Sequence, residues 1–218
     1  MGVEEAITVY IFCGGECYAD RLGISEPYDF VIAADSGMYT ALEMGIVPDL
    51  FIGDFDSFDK QHLCKESREA VENIPTVSYP VKKDLTDSMI AVEIALEKGA
   101  DRIIIIGALG GRLDHTLSNV FLLRSLHSKN VSAVIDNGKN AVQYIKNQSI
   151  TIKKRYKYIS LLAYPSDARG VSISGVEYPL EDAVLQLDNP YAVSNCITDS
   201  ECIVTVKDGG LLVVESHE

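Results

Sequence analysis

The sequence predicts an α/β domain with a mostly parallel sheet flanked by helices, followed by an all-β sandwich. Up to about residue 139, short apolar runs alternate with helical stretches, which is typical of parallel strands joined by helices. After about residue 140 the helical period stops, and short β-type runs separated by turn residues continue to the end. We therefore predict two domains, residues 1–139 and 140–218.

Composition limits the possible partners. The 218 residues include 19 Lys and Arg against 32 Asp and Glu, a formal net charge of −13. An acidic surface repels nucleic acid and anionic membranes, so we expect neither as a partner. No apolar run approaches the ~18 residues of a membrane span, and no signal peptide is recognisable. The five cysteines are widely spaced, which favours a reduced, cytoplasmic protein.

The elements of the first domain follow from its apolar runs. Strands are predicted at residues 7–12, 30–34, 50–52, 76–79, 102–106 and 131–135. Helices are predicted at about 38–44, 59–73, 85–98 and 114–127, the third with a buried stripe of Leu85, Met89, Val92 and Leu96. Four consecutive isoleucines at 103–106 are typical of a parallel strand covered on both faces. We class this domain as Rossmann-like.

The second domain is built from β-type runs alone. They lie at residues 141–145, 149–152, 158–163, 171–174, 183–187, 194–197, 202–207 and 211–215. The turn Asp208-Gly209-Gly210 predicts a hairpin between the last two. Regular spacing of short strands and turns predicts a small sandwich.

Four polar phrases follow predicted strands of the first domain. They are AADSG at residues 33–37, GDFDSF at 53–58, KKDLTDS at 82–88 and GALGGRLDH at 107–115. Ligands of open parallel sheets bind outside the carboxyl ends of the strands, so these phrases should converge on one edge. Together they supply carboxylates, a glycine loop and an arginine, which suits a metal-bound phosphate.

The second phrase places two carboxylates side by side. In extended backbone Asp54 and Asp56 point the same way, roughly 7 Å apart. Such carboxylates raise each other's pKa unless a cation lies between them, and Mg²⁺ prefers carboxylate and phosphate oxygens. The alternative is an ordinary acidic surface turn.

Acidic residues also stand at three predicted helix starts. Asp35 is either an N-cap or a ligand, and the two roles are compatible. Asp84 with Asp87 resembles a capping box, but capping does not explain the neighbouring Lys83, which is suited to hold a phosphate. Asp114 is another candidate N-cap.

The fourth phrase combines a strand, a glycine loop and a helix start, the layout that binds phosphates. Its loop contains Gly110 and Gly111, and Arg112 beside them can contact a phosphate through two hydrogen bonds. The phrase matches neither a Walker loop nor GxGxxG.

Taken together in this order and spacing, ADSG, GDFDS, KDLTD and GGRLDH resemble the thiamine pyrophosphokinase family. The second half agrees, because that family has a Gly-x-x-aromatic-x-Leu phrase and then a Ser-Asn pair in a β-sandwich. Here these are residues 175–180 and Ser194-Asn195. The resemblance covers nearly the whole chain.

The resemblance implies a Mg²⁺-dependent transfer of a diphosphoryl group from ATP to the hydroxyl of thiamine, in a homodimer with active sites at the subunit interface. It implies metal and catalytic roles for Asp54, Asp56 and Asp87, and a catalytic role for Arg112 on the polyphosphate. The residues it places around the nucleotide are Asp35, Lys83, Asp84, Thr86, Gly110, Gly111, Arg112 and Asp114. It places Tyr178 against the thiamine ring, with Ser194 and Asn195 nearby.

The chain departs from relatives on the substrate side. Several relatives have Trp at the stacking position, whereas this chain has no Trp and carries Tyr178. Residues 188–191 read DNPY where many bacterial relatives have a Gly-Ser pair. Three alternatives therefore remain: a pyrophosphokinase for a hydroxymethyl pterin or a similar alcohol, a Mg²⁺-dependent phosphohydrolase, and a nucleotide-binding module without turnover.

Overall fold

The structure, a computed structural model, describes residues 6–22, 27–53, 63–77 and 86–217. The chain divides into two compact units, Met1–Gly138 and Lys139–Glu218. The first contains a sheet with helices and the second contains antiparallel β-structure, so the predicted change from α/β to β along the chain is confirmed. No helix of the described residues is long and apolar enough to cross a membrane.

The bounds of the elements in the first unit lie close to those predicted. The strands are β1 (Thr8–Phe12), β2 (Phe30–Ala34), β3 (Leu50–Ile52), β4 (Thr76–Val77), β5 (Arg102–Ile106) and β6 (Ser132–Asp136). The helices are α1 (Gly37–Glu43), α2 (Lys65–Glu72), α3 (Asp87–Glu97) and α4 (Leu113–Ser128). Helix α2 begins later than predicted, because Cys64 is its N-cap and accepts the N–H of Ser67 through its sulfur.

The strands of this unit lie in the order β6-β5-β1-β2-β3-β4, and every pair among them is parallel. The first strand is therefore internal: the chain builds outward from it through β2, β3 and β4, then returns to its other side with β5. The strand order reverses between β1 and β5. In open α/β sheets this is the place where ligands bind, outside the carboxyl ends of the strands.

Continuous apolar runs place these strands in the core. All five residues of β1 are buried, as are the four isoleucines of β5. Tyr10 and Phe12 pack with Ala41 of α1 in one cluster, and Phe51 packs with Val71 of α2 in another. Burial on both faces is typical of the strands of a parallel sheet covered by helices.

The buried face of α3 differs from the predicted stripe. Its buried residues are Ile90, Ala91, Val92 and Ala95. Of the predicted stripe only Val92 is buried, Met89 and Leu96 are half-buried, and Leu85 lies outside the described residues. The helix packs against β1 and β2. Two alanines lie beside Ile90 and Val92 on this face, so the face that packs on the sheet is not the one marked by the largest apolar side chains.

The second unit consists of two antiparallel sheets. Its strands are β7 (Asn140–Lys146), β8 (Ser149–Lys153), β9 (Tyr158–Ala163), β10 (Ala168–Ser174), β11 (Leu180–Leu185), β12 (Asn195–Cys196), β13 (Glu201–Thr205) and β14 (Gly210–Ser216). One sheet has the order β12-β9-β14-β7, and the other has the order β11-β10-β13-β8. A single apolar cluster draws residues from both, for example Leu161 and Leu211 from one and Val171 and Val204 from the other. The two sheets therefore pack face to face.

The hairpin predicted at residues 208–210 is wrong. Strand β13 pairs with β8 and β10, whereas β14 pairs with β7 and β9. The turn thus carries the chain from one sheet to the other. Gly209 has φ 96°, and a Cβ there would lie 2.8 Å from the carbonyl oxygen of Asp167. Glycine is required by this close crossing, not by a two-residue hairpin turn.

Candidate active site

The loops that follow β1 and β5 pack directly on each other at the point where the strand order reverses. The N–H of Gly15 donates to the carbonyl of Gly107 at 2.7 Å, and the N–H of Glu16 donates to the carbonyl of Leu109 at 3.1 Å. A Cβ at Gly107, whose φ is 69°, would lie 2.6 Å from the carbonyl oxygen of Cys13. The glycines at these strand ends therefore serve the contact between the two loops.

Glu16, which belongs to none of the four phrases, lies across the glycine loop. Its Oε1 accepts the N–H of Gly111 at 3.3 Å. A Cβ at Gly110 would lie 2.5 Å from the carboxyl carbon of Glu16. Both glycines have positive φ, 86° and 62°. The predicted glycine loop is therefore present, and one of its N–H groups is bonded to a carboxylate. No local pattern around Glu16 indicates this contact.

Asp35 follows β2, as predicted, but it does not cap α1. It has φ 50°, and its N–H donates to the carbonyl of Ile52 at 2.9 Å. The N-cap is Ser36, whose side chain makes no capping hydrogen bond. The left-handed backbone of Asp35 turns its side chain toward the end of β3, where a Cβ at Gly53 would lie 2.6 Å from Oδ1. The capping interpretation of Asp35 is wrong.

Asp87 is the first residue of α3, and its neighbour Thr86 is the N-cap. Thr86 Oγ1 accepts the N–H of Met89 at 3.4 Å, so the predicted assignment of the cap to Asp84 is wrong. Carboxylates are favoured in the first turn of a helix, where N–H groups lack partners inside the helix. Asp87 therefore lies where a negative charge is stabilised, at the start of a helix packed on β1 and β2.

Asp35 and Asp87 both affect the pKa of the buried Cys13 thiol at the end of β1. Burial raises the pKa of Cys13 to about 12, and the carboxylates of Asp35 and Asp87 add to this increase. A nearby negative charge disfavours the thiolate, and its effect falls with distance. The carboxylates from the ends of β2 and the start of α3 thus converge on the end of β1. The convergence of all four phrases on one edge stays a prediction, because Asp54, Asp56, Lys83 and Asp84 lie outside the described residues.

Arg112 and Asp114 form a two-point ion pair beside the glycine loop. Nε of Arg112 donates to Oδ1 at 3.1 Å and Nη2 donates to Oδ2 at 2.6 Å. These hydrogen bonds hold the pKa of Asp114 below its usual range and raise that of Arg112. Asp114 is not the predicted N-cap, because Arg112 occupies that position. The guanidinium is largely exposed, with its planar donors held beside the loop.

The remaining residues predicted for this edge are Asp54, Asp56, Lys83 and Asp84, and they lie outside the described residues. Within residues 6–22, 27–53, 63–77 and 86–217, no three His, Cys, Asp or Glu side chains form a metal-binding group. Asp35 and Asp87 supply carboxylate oxygens, the donor type that Mg²⁺ prefers. The metal site formed with Asp54 and Asp56 stays a prediction.

In the second unit, Tyr178 and Asn195 lie at one cavity. Tyr178 is 68% exposed, which excludes a half-buried structural role for its ring. Asn195 holds the backbone of Tyr178 from both sides: Nδ2 donates to its carbonyl at 2.7 Å, and Oδ1 accepts its N–H at 3.0 Å. Both residues line an apolar cavity of about 150 Å³ with a floor of Ile159 and Leu161. Asn195 therefore positions the exposed ring.

Ser194 and the segment at residues 188–191 belong to the same region. Ser194 has φ 56°, and its N–H donates to Ser160 Oγ at 2.9 Å. Tyr191 lines the cavity, and its hydroxyl donates to the carbonyl of Val184 at 3.3 Å. The segment in which the sequence departs from bacterial relatives thus contributes an aromatic wall. This contribution was not predicted, although a tyrosine beside a substrate-side departure was a usable signal.

The comparisons with known proteins cover both units. A family model for the catalytic domain of thiamin pyrophosphokinase matches residues 24–135. A second model, for the vitamin B1 binding domain of thiamin pyrophosphokinase, matches residues 147–211.

Individual relatives match over almost the entire chain. The sequence is 31% identical to the thiamine pyrophosphokinase of Bacillus subtilis, over 97% of this chain and 99% of that protein. The crystal structure of a B. subtilis thiamine pyrophosphokinase gives a TM-score of 0.86 at 28% identity, covering 97% of this chain and 99% of that one. The corresponding enzyme of Geobacillus thermodenitrificans gives 0.81 at 26% identity, covering 97% and 98%. This chain belongs to the thiamine pyrophosphokinase family.

Proposed function

We propose that this protein transfers the diphosphoryl group of ATP to the hydroxyl of thiamine, giving thiamine diphosphate and AMP. One observation carries the proposal. Carboxylates from two elements converge on the end of β1, beside a glycine loop with an adjacent arginine, in a chain of this family. Such a set of groups suits a polyphosphate held by cations and backbone N–H groups.

In the proposed reaction the hydroxyl oxygen of thiamine attacks the β-phosphorus of ATP. A new oxygen–phosphorus bond forms, the bond from that phosphorus to the oxygen bridging to the α-phosphate breaks, and AMP leaves with that oxygen. The hydroxyl proton passes to one of the carboxylates that follow the strands at this edge of the sheet. Arg112 and the N–H group of Gly110 hold the polyphosphate, and the N–H of Gly111 joins them once Glu16 Oε1 releases it. Phosphoryl transfer of this kind depends mainly on positioning and charge neutralisation.

The proposed metal is Mg²⁺, held by Asp54, Asp56 and Asp87, with Asp35 at the same edge. When bound, it would neutralise charge on the transferred group. Lys83, Asp84, Thr86 and Asp114 complete the proposed nucleotide-binding set. Thr86 and Asp114 contribute through the contacts that they make to the chain itself: Thr86 caps α3 and Asp114 holds Arg112.

We propose that the first domain, residues 1–139, is a Rossmann-like catalytic domain, and that residues 140–218 bind thiamine. The parallel strand order supports the first assignment. The exposed ring of Tyr178 beside an apolar cavity supports the second, because an aromatic face attracts the thiazolium cation. Asn195 holds the backbone of Tyr178, and Ser194, its neighbour in sequence, completes the proposed thiamine-binding set. The cavity of about 150 Å³ is smaller than the ~300–1,000 Å³ of a complete ligand site, so it fits one ring.

We further propose a cytoplasmic homodimer whose active sites combine groups of both subunits. All five cysteines, which are among the described residues, are free, as expected in a reducing compartment. On α4, Leu113, Leu117 and Phe121 form an exposed apolar row with exposed fractions of 70%, 43% and 47%. Apolar patches on a surface mark contact with another protein. Sedimentation of the purified protein measures the assembly directly.

Incubation with ATP, Mg²⁺ and thiamine is expected to yield AMP and thiamine diphosphate in equal amounts. The measurement is chromatographic identification of both products, with thiamine omitted as the control. Formation of ADP or free phosphate, or of AMP without thiamine, would contradict the proposal and favour a hydrolase. AMP formed only with a hydroxymethyl pterin would retain the reaction and change the acceptor.

Tyr178→Ala is expected to raise KM for thiamine roughly 3- to 30-fold, because it removes the aromatic face beside a cation. KM for ATP should stay unchanged. Tyr178→Trp should lower KM for thiamine, since Trp offers the stronger cation–π surface. The control is Ile203→Ala, which truncates another exposed apolar side chain of the same unit away from the cavity. An unchanged KM for thiamine in Tyr178→Ala would remove this residue from the substrate site.

A further inference from the structure

Asn119 of α4 bonds to two separate segments at the candidate site. It is 9% exposed. Its Nδ2 donates to the carbonyl of Ala108 in the loop after β5 at 2.9 Å, and its Oδ1 accepts the hydroxyl of Ser88 in the first turn of α3 at 3.0 Å. A buried amide without partners destabilises a protein, whereas here both of its ends are bonded. Asn119 therefore links the phosphate loop to the start of α3.

The link continues to both sides of Asp87. The hydroxyls of Ser88 and Thr86 lie 3.0 Å apart, and Thr86 caps α3 by accepting the N–H of Met89. Asp87 lies between Thr86 and Ser88 in sequence, so the residues that flank this carboxylate are both tied to Asn119. The chain of contacts runs from the Ala108 carbonyl to the cap of α3. Connected polar networks of this kind hold one geometry more strictly than apolar packing does.

The same helix offers a contrast in Thr116. Its hydroxyl donates to the carbonyl of Gly110 at 3.1 Å, so it also holds the loop. No hydrogen bond described for its side chain reaches α3. Loss of Thr116 thus loosens the loop alone, whereas loss of Asn119 uncouples the loop from Asp87. Variants of these two side chains therefore distinguish a loss of loop stability from a displacement of the Asp87 carboxylate relative to the loop.

We infer that Asn119 is a positioning residue that holds the carboxylate of Asp87 in register with the phosphate loop through Ser88. The inference rests on the proposed function, in which Asp87 binds the metal and the loop binds the polyphosphate of one nucleotide. A metal–nucleotide complex must contact both at once. Groups that orient a metal ligand typically change affinity or activity by about 10- to 100-fold when removed.

The test measures binding of Mn²⁺ together with a non-hydrolysable ATP analogue, by calorimetry and by electron paramagnetic resonance of the ion. Ser88→Ala and Asn119→Leu are each expected to weaken Mn²⁺ binding about 10- to 100-fold. The double variant should be no weaker than the worse single variant, because both changes break one link. Ser88→Thr, which keeps the hydroxyl, should bind as the unaltered protein does. Thr116→Val should change Mn²⁺ affinity by less than about threefold if the loop alone is affected.

Several results would overturn the inference. They are normal Mn²⁺ affinity in Ser88→Ala, additive losses in the double variant, or an equal loss in Thr116→Val. If Asn119→Leu does not fold, the comparison of Ser88→Ala with Ser88→Thr decides alone. Failure of the proposed function is distinguishable, because binding to the ATP analogue is measured without turnover. Absence of thiamine diphosphate with the unaltered protein would refute the reaction and leave the positioning result standing.

Discussion

Asp87→Asn is expected to lower kcat/KM for thiamine diphosphate formation by on the order of 10²–10³-fold, the size found when one charge-stabilising group is removed. The substitution keeps the shape of the side chain and removes its charge. Asp87 begins α3 and acts with Asp35 on the end of β1, where the transferred group is proposed to lie. Initial rates of AMP formation against Mg²⁺ concentration measure the effect. The Mg²⁺ concentration that gives the half-maximal rate should rise.

The fold should tolerate this change, so stability separates the explanations. A carboxylate in the first turn of a helix contributes about 0.3–1 kcal/mol, and its loss lowers the denaturation midpoint only slightly. Glu97→Gln at the other end of α3 is the matched control, because it removes the same charge from an exposed position. A value of kcat/KM for Asp87→Asn within about threefold of that of the unaltered protein would show that Asp87 does not stabilise the transition state.

The parts of the fold that the sequence predicts correctly are those encoded by continuous burial. Strand β5 was recognisable from its four consecutive isoleucines, and β1 from its continuous apolar run. The structure buries all four isoleucines and all five residues of β1. The errors concern relations between distant segments. Turn residues at 208–210 predict a reversal of direction but do not specify which sheet the next strand joins. The buried face of α3 includes Ala91 and Ala95 and is set by packing on β1 and β2, which the sequence of the helix does not specify.

In the candidate site, too, the errors concern features that packing and contacts between distant segments decide. Asp35 and Asp87 were predicted to lie at one edge because carboxyl ends of parallel strands share it, and both carboxylates raise the pKa of Cys13 at the end of β1. The caps were wrong because the observed N-caps, Ser36, Thr86 and Arg112, do not follow the residue preference for Asp. Glu16 and Asn119 were missed because their contacts join segments far apart in the chain. Their positions follow from packing, not from any local pattern.

Arg112→Ala is expected to lower kcat/KM for ATP by about 10²- to 10³-fold, because an arginine that neutralises a transferred phosphoryl group contributes at least this much. Arg112→Lys should recover only part of the loss. Lysine restores the charge but not the planar pair of donors, which Asp114 now holds beside the glycine loop. Steady-state kinetics with varied ATP at saturating thiamine measure both variants, and thermal unfolding checks that each is folded.

Asp114→Asn tests the role of the ion pair, because it leaves Arg112 in place and weakens the hydrogen bonds that orient it. If the ion pair prepares the guanidinium for phosphate, this variant should lose about tenfold in kcat/KM, less than Arg112→Ala, with the larger part in KM for ATP. If Asp114 instead competes with phosphate for the guanidinium, the same variant should bind ATP more tightly. The ion pair is exposed, so neither Arg112→Ala nor Asp114→Asn should change the free energy of unfolding much. The direction of the change in KM for ATP in Asp114→Asn decides between orientation and competition.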